Sequence, residues 1–139
     1  MKFVSHVRWI EGKKGELTFE NGEKVRFSSP PDFGGVKGLP TPEEFLVASL
    51  NACFHQTFLT FAQKMRVGIE SFEMDAEGHL DTSGDKTRFV KCVLRPRIVV
   101  SSSNDVSRAG KALRMAEERC FISNSVNFEV VVSPSIQTA

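Results

Sequence analysis

The sequence of 139 residues has no tyrosine, one tryptophan and only three cysteines. The cysteines, at positions 53, 92 and 120, are too few and too far apart for the disulfide framework of a small secreted domain. We therefore expect a protein of the reducing cytoplasm. The absence of a Cys-x-x-Cys pair argues against a structural metal site, and without tyrosine there is no phenolic chemistry.

Charge imbalance and long apolar runs are also missing. Lysine and arginine number 18, and aspartate and glutamate 17, so no strong field favours nucleic acid or an anionic membrane as a partner. We expect no membrane span, and the N-terminus, from Met1 to His6, lacks the apolar core of a signal peptide. The length fits a single domain over residues 1–139, with a core of its own or one shared with a partner.

Alternating apolar residues predict three strands in the first part of the chain. A strand over residues 2–10 comes first, and the two arms of a hairpin flank Asn21 and Gly22. A three-residue loop that places Phe19 opposite Val25 keeps the apolar faces together, whereas a two-residue loop would mix them. Residues 28–40 are rich in proline and glycine, which predicts a loop.

A long helix is predicted from the end of this loop to Arg66. Thr41 suits the N-cap, Pro42 the first turn, and Glu44 completes a capping box. Gly68 is the expected stop. Apolar residues cover this segment nearly all round, which is typical of a buried, central helix.

The second half of the chain again has strands followed by a helix. Strands are predicted near residues 69–78 and 87–101, then a helix capped by Ser103 or Asn104, and a last strand from Val126 to Val132. The order is therefore β-β-β-α-β-β-α-β. Because strands and helices come in runs, the pattern favours an α+β fold with a mainly antiparallel sheet around the long helix.

The three cysteines differ in their surroundings. Cys92 follows the apolar phase of its strand, as a small buried side chain does. Cys53 and Cys120 each lie in an apolar helical segment beside polar residues. Only about 3% of an unperturbed thiol is ionised at pH 7, so a reactive cysteine needs a cation or hydrogen-bond donors that lower its pKa. Composition alone leaves a reactive and an inert thiol equally open.

Metal binding and hydrolysis fit the sequence less well. Cys53 and His55 are two residues apart on a helix, about 200° around its axis, so they cannot hold one ion together. A cysteine hydrolase needs a histidine near its nucleophile, and His6, His55 and His79 suggest no recognisable partner. We expect neither a metal nor an organic cofactor.

Two separate motifs resemble those of one protein family. Phe33-Gly-Gly and Gly38-Leu-Pro-Thr-Pro-Glu-Glu-Phe-Leu-Val-Ala-Ser-Leu-Asn-Ala-Cys53 are similar to the first signature of the OsmC/Ohr superfamily, the osmotically inducible and organic-hydroperoxide-resistance proteins. Ala116-Glu-Glu-Arg-Cys120-Phe-Ile-Ser-Asn-Ser125 resembles the second, with Phe121 in place of the usual proline. Element order and length agree over nearly the whole chain.

The resemblance implies an intertwined homodimer in which sheets wrap two long central helices and the active sites lie at the interface. It also implies a thiol peroxidase that reduces organic hydroperoxides. Cys53 would become a sulfenic acid, and Cys120 would condense with it to a disulfide that a dithiol or a lipoyl-type reductant reduces. Glu43 matches the family's glutamate. Because ten helical residues span about 15 Å, Glu43 would need a break in the helix or the other subunit to reach a Cys53, and we expect the second.

One position departs from the family pattern. The peroxide-resistance branch has an arginine in the first hairpin loop, where this chain has Lys13 and Lys14. Either lysine is a candidate for stabilising the thiolate, although an ammonium is not equivalent to a bidentate guanidinium, and two solvated turn lysines are an equally good interpretation. Arg8 and Arg26 are further candidates. The departure favours the broader OsmC-like branch.

The expected substrate pocket is apolar, which suits an organic hydroperoxide better than hydrogen peroxide. Its predicted lining is Phe45, Leu46, Leu50, Phe54 and Phe58. Two alternatives to the peroxidase stay open: a non-catalytic dimer that binds a small apolar ligand, and a redox sensor.

Overall fold

The computed structural model describes all residues from Met1 to Ala139. The chain divides into two compact units, residues 1–46 and 47–139, and each contains one sheet. Two α-helices and seven strands make an α+β fold, as predicted. The expectation of one domain over residues 1–139 stays a prediction.

The first unit holds a three-stranded antiparallel sheet. Its strands β1 (Ser5–Glu11), β2 (Lys14–Phe19) and β3 (Lys24–Ser28) lie in sequence order. Odd-numbered residues pair with odd-numbered residues of the neighbouring strand, as Val7 does with Leu17. Their side chains therefore lie on one face of the sheet. Several of these apolar side chains, including Val7 and Trp9, are exposed in the single chain.

The hairpin register differs from the prediction by two residues. Val25 lies opposite Leu17, not opposite Phe19. The loop has three residues as predicted, but it covers residues 20–22 instead of 21–23: the N–H of Phe19 donates to the Glu23 carbonyl at 2.8 Å, and the Asn21 side chain accepts the N–H of Glu23 at 3.0 Å. A shift of two leaves every side chain on its expected face, since strands alternate with period two.

Helix α1 (Pro42–Lys64) begins as predicted, because the Thr41 hydroxyl accepts the N–H of Glu44 at 3.1 Å. It ends two residues before the predicted Arg66, which adopts a left-handed backbone with φ of 55°. The chain therefore leaves the helix before Gly68.

One stripe of α1 is fully buried: Leu50, Phe54, Phe58 and Ala62 are at most 1% exposed. The opposite side, including Ala52 and Thr60, is exposed, so within one chain the helix is not buried all round as expected. By length and composition alone α1 meets the criterion for a helix that could cross a membrane, so the expectation that no apolar run approaches this length was wrong. The core helix of a globular protein meets the same criterion.

The second unit holds a mixed sheet. Strands β4 (Ile69–Asp81) and β5 (Arg88–Val100) are antiparallel, and the short strands β6 (Glu129–Val132) and β7 (Ser135–Thr138) each pair with β5 in parallel. The predicted last strand, Val126 to Val132, is thus shorter, and a seventh strand follows it. The two are separated at Pro134, which has no N–H for the ladder.

Helix α2 (Val106–Arg119) starts from a 3₁₀ turn over Ser103–Asp105, without the predicted side-chain cap. Its start is instead fixed by Arg108, whose guanidinium pairs with buried Asp105 and donates to the Met65 carbonyl at 3.1 Å. The buried faces of α1 and α2 form one core with the buried face of β5. Cys120 follows the apolar stripe of α2 and belongs to the same core.

Candidate active site

Cys53 lies near the middle of α1 beside its buried stripe and is half-buried. Its neighbour along the helix axis is Thr57, whose hydroxyl donates to the Cys53 carbonyl at 2.8 Å. The i, i+4 spacing places the Thr57 hydroxyl on the same face as the thiol. Cys53 is therefore held on a rigid element with a donor next to its sulfur.

Cys120 is buried where α2 ends. Its N–H still donates to the Ala116 carbonyl at 2.9 Å, but its ψ of 119° turns the chain out of the helix. Residues 120–125, here named the thiol loop, then fold back on themselves. The N–H of Asn124 donates to the Cys120 carbonyl at 3.0 Å, and the Ser125 hydroxyl to the Phe121 carbonyl at 2.7 Å.

The two cysteines meet side by side, both as free thiols. Burial raises the pKa of Cys53, but hydrogen bonds from the Ile122 N–H, the Cys120 thiol, the Phe121 N–H and the Thr57 hydroxyl together bring this pKa below its ordinary value. None of these donors is charged. Uncharged groups alone thus favour the thiolate form of Cys53.

Cys120 has the opposite tendency. Burial raises its pKa, and both the hydrogen bond it donates to Cys53 and the negative charge of that thiolate raise the pKa further, against N–H groups of Ser123 and Ile122 that lower it. The pKa values of the two thiols are therefore shifted in opposite directions, so Cys53 ionises before Cys120. Cys92, by contrast, lies on β5 within the core, where burial raises its pKa, so it is an inert thiol.

A cavity of about 380 Å³ opens beside Cys53. No carboxylate lines it, and its single charged side chain is Arg119, which makes no ion pair. The lining residues are Cys53, Gln56, Thr57, Thr60, Phe61, Arg119 and Phe121. Sequence reasoning predicted only Cys53 and missed the other six, although Gln56, Thr57, Thr60 and Phe61 follow Cys53 at the spacing of one helical face.

The predicted apolar lining lies elsewhere. Leu50, Phe54 and Phe58 are completely buried in the core on the neighbouring stripe of α1, because this stripe packs within the second unit rather than facing the cavity. Phe45 and Leu46 belong to the first unit, where the Phe45 ring packs edge-on against Phe27 at 6.1 Å.

Glu43 and the candidate cations are also in the first unit. The helix is continuous from Pro42 to Lys64, so Glu43 lies about 15 Å along the axis from Cys53 of the same chain. One carboxylate oxygen of Glu43 is buried without a hydrogen-bond partner. Lys14 pairs with Glu11 at 3.3 Å and Arg8 with Glu16 at 3.3 Å, whereas Lys13 and Arg26 make no ion pair.

The histidines make no contact with the thiol pair. The His55 ring stacks on Phe72 with centroids 4.2 Å apart, and His79 contacts Glu77 on the surface of the sheet at 2.8 Å. No group of three or more His, Cys, Asp or Glu side chains has a metal-binding arrangement. The chemistry of the site is that of two thiols and their hydrogen-bond donors.

Fold and site together define an α+β protein with two neighbouring thiols, one with a lowered and one with a raised pKa, at the edge of a small cavity. A family model described as OsmC-like protein matches residues 35–135. The chain belongs to this OsmC-like family, as the two sequence motifs predict.

Individual relatives agree with this assignment. A crystallised OsmC-like protein of unknown function from Vibrio cholerae is 31% identical and has a TM-score of 0.88, with 96% of this chain and 99% of that chain covered. The uncharacterized protein YmaD of Bacillus subtilis is 24% identical over 97% of this chain and 94% of its own length.

The same fold occurs in an organic hydroperoxide resistance protein from Legionella pneumophila. It is 24% identical, with a TM-score of 0.76 and coverage of 99% of this chain and 97% of that one. At this level of identity the similarity shows the fold alone.

Proposed function

We propose that the protein is a cytoplasmic thiol peroxidase that reduces organic hydroperoxides, with Cys53 as the attacking residue and Cys120 as the resolving residue. The observation that carries this proposal is the contact between the two thiols, in which the half-buried one has a lowered pKa and the buried one holds the proton. An exposed, low-pKa thiol beside a second thiol is the arrangement found in redox-active cysteine pairs.

The proposed reaction has two steps at sulfur. The Cys53 thiolate attacks the terminal, hydrogen-bearing oxygen of the hydroperoxide, the O–O bond breaks, and the alkoxide leaves and takes up a proton from water as the alcohol. The oxygen stays on Cys53 as a sulfenic acid. Cys120 then attacks the Cys53 sulfur, hydroxide leaves and takes up the Cys120 proton as water, and a disulfide remains. A dithiol or lipoyl-type reductant returns both thiols.

The cavity supports an organic peroxide as substrate. The Phe61 and Phe121 side chains supply apolar surface beside the sulfur, and the Thr60 and Gln56 side chains supply polar groups at its rim. A volume of about 380 Å³ is at the small end of the range for ligand pockets. Two proteins of the same fold, from Legionella pneumophila and Elizabethkingia anophelis, are themselves named organic hydroperoxide resistance proteins.

The active form is proposed to be a homodimer in which Glu43 acts in the partner's site. Trp9 is 72% exposed, and the apolar sheet face around it needs cover that a second copy of the chain would provide. The buried, unpaired oxygen of Glu43 likewise needs a partner. Along one continuous helix Glu43 does not reach Cys53 of its own chain, so a second chain is the remaining source of this contact.

Titration of free thiols after addition of cumene hydroperoxide, and again after addition of dithiothreitol, tests the proposal. The reduced protein is expected to lose two thiols per chain on peroxide addition and to regain them with dithiothreitol. Cys53→Ser should abolish the reaction, and Cys120→Ser should stop it at a sulfenic acid that dimedone traps on Cys53. Cys92→Ser is the matched control and should react as the wild type does. Thiols that survive excess peroxide would instead favour the dimer that binds an apolar ligand.

A further inference from the structure

The thiol loop places two consecutive main-chain N–H groups against one sulfur. The Cys120 N–H is the last to donate within α2, and those of Asn124 and Ser125 donate to carbonyls inside the loop. Between them, the N–H groups of Phe121 and Ile122 donate to no carbonyl. Phe121 lines the cavity together with Cys53, and hydrogen bonds from both N–H groups lower the pKa of Cys53. Consecutive N–H groups that converge in this way form a concave anion site.

We propose that the N–H groups of Phe121 and Ile122 are the anion-binding element of the site, a main-chain pair that holds the negative charge of the Cys53 sulfur in place of a cationic side chain. This inference rests on the proposed role of Cys53 as the ionised, attacking thiol. The backbone would thus stabilise the thiolate, a role for which the family resemblance suggests a lysine or an arginine.

The loop fixes these two donors before any charge appears. The Ser125 hydroxyl binds the Phe121 carbonyl at 2.7 Å, and the Asn124 side chain binds the Glu118 carbonyl at 3.1 Å, which ties the loop to the end of α2. Main-chain donors held in this way need no ordering of a long side chain. Arg119 lines the same cavity but makes no hydrogen bond to Cys53.

The identity of residue 121 decides how many donors are available. Proline has no N–H, so a proline here would leave Ile122 as the single main-chain donor to Cys53. The Phe121 ring lines the cavity and is 80% exposed, so its contact with solvent and substrate is separate from the contact of its N–H with Cys53. The chain thus has a second amide at the position where it departs from the motif.

The Ile122 N–H serves both halves of the thiol pair, since it contacts Cys120 as well as Cys53. While Cys53 is a thiolate, this N–H is shared with the charged sulfur. Once Cys53 has been oxidised to a neutral sulfenic acid, the same N–H can stabilise the charge that develops on Cys120 as it attacks. The donor therefore follows the negative charge from one sulfur to the other.

Comparing Phe121→Pro with Phe121→Ala in the full-length, reduced protein tests the inference. The alkylation rate of Cys53 by iodoacetamide is followed as a function of pH, with peptide mass spectrometry to assign the site. Phe121→Pro is expected to shift the rate profile to higher pH and to slow alkylation at pH 6 by about three- to tenfold. Phe121→Ala keeps the N–H, so the pH midpoint of its rate profile should match that of the wild type, whatever the loss of the cavity-lining ring does to the absolute rate.

A second variant removes the N–H without the proline ring. Replacing Phe121 by phenyllactic acid exchanges the amide for an ester, and it should shift the profile in the same direction as Phe121→Pro. An unchanged profile in the ester, or an equal shift in Phe121→Ala, would overturn the inference. Peroxide consumption is measured separately. If the rate profile shifts as expected but the protein consumes no peroxide, the inference about the two N–H groups holds and the proposed peroxidase function is rejected.

Discussion

The Cys120 thiol donates a hydrogen bond to the Cys53 sulfur, and this single contact moves the pKa values of the two residues in opposite directions. Donation stabilises the charged form of the acceptor, and the charge on the acceptor disfavours a second negative charge next to it. The contact therefore makes Cys53 the more acidic of the two thiols, as the proposed attacking role requires. Their titrations are linked, so the measured pKa values belong to the pair.

Removing the Cys120 donor should make Cys53 less reactive. In a Cys92→Ser background, Cys120→Ala leaves Cys53 without this hydrogen bond, so its pKa is expected to rise and its alkylation at pH 6 to slow by about two- to tenfold. Cys120→Ser retains a hydroxyl donor and should lie closer to the parent. Thiolate absorbance at 240 nm reports the titration directly, because only Cys53 remains. Identical titrations in the alanine and serine variants would contradict the assigned hydrogen bond.

The reciprocal change should activate Cys120. Burial keeps its pKa raised, but the hydrogen bond to Cys53 and the charge of that thiolate raise it further. In Cys53→Ala with Cys92→Ser both effects vanish, so the pKa of Cys120 should fall and its thiolate fraction at pH 8 should increase. Absorbance at 240 nm again follows a single thiol. A fraction that stays constant or decreases would show that Cys53 does not suppress ionisation of Cys120.

Features fixed by a few adjacent residues could be predicted from the sequence. The start of α1 follows from Thr41, Pro42 and Glu44, because capping is decided within one turn. The predicted hairpin register was wrong because the three-residue loop begins one residue earlier than the apolar spacing indicated, where the Phe19 N–H donates to the Glu23 carbonyl. Strand β7 was missed because four residues beyond Pro134 gain their order only from parallel pairing with distant β5.

The active site shows the same division between local and non-local features. The cysteines were recognisable from the two motifs, and four cavity residues follow Cys53 at helical spacing. The donors from the thiol loop were not recognisable, since every residue except proline has an N–H and only the fold aims those of Phe121 and Ile122 at a sulfur. Sequence reasoning therefore considered charged side chains and overlooked the main-chain N–H groups that lower the pKa of Cys53.

The pair between Asp105 and Arg108 should be important for stability. Asp105 is 6% exposed, and Arg108 also binds the Met65 carbonyl, so the pair connects the start of α2 to the end of α1. Asp105→Ala is expected to lower the free energy of unfolding by about 1–3 kcal/mol, since it removes a partner from a charged hydrogen bond. Urea unfolding followed by circular dichroism measures the change.

An exposed ion pair is the control for this variant. Glu73 pairs with Arg97 at 3.0 Å on the surface of the sheet, with its side chain 74% exposed. Glu73→Ala should change the free energy of unfolding by less than about 1 kcal/mol. Equal losses in the Asp105 and Glu73 variants would mean that burial of Asp105 adds nothing to its pair.

We expect the Thr57 hydroxyl to lower the pKa of Cys53 in addition to any effect that it has on helix α1. Thr57 and Thr60 line the same cavity, and each donates to the carbonyl four residues earlier, at 2.8 and 3.0 Å. Only Thr57 also contacts the Cys53 sulfur. Replacing either threonine by valine removes the same kind of backbone hydrogen bond at nearly the same volume, so the pair separates effects on α1 from effects on the thiol.

Thr57→Val is therefore expected to raise the pKa of Cys53 and to slow its reaction with cumene hydroperoxide by about two- to tenfold at pH 6, where the thiolate fraction limits the rate. The deficit should shrink as the pH rises above the pKa of Cys53, because the thiol is then ionised in both proteins. Thr60→Val should follow the wild-type profile throughout. Stopped-flow measurement of the pH dependence distinguishes the cases, and parallel profiles for the two valine variants would reject a direct role of the Thr57 hydroxyl at the sulfur.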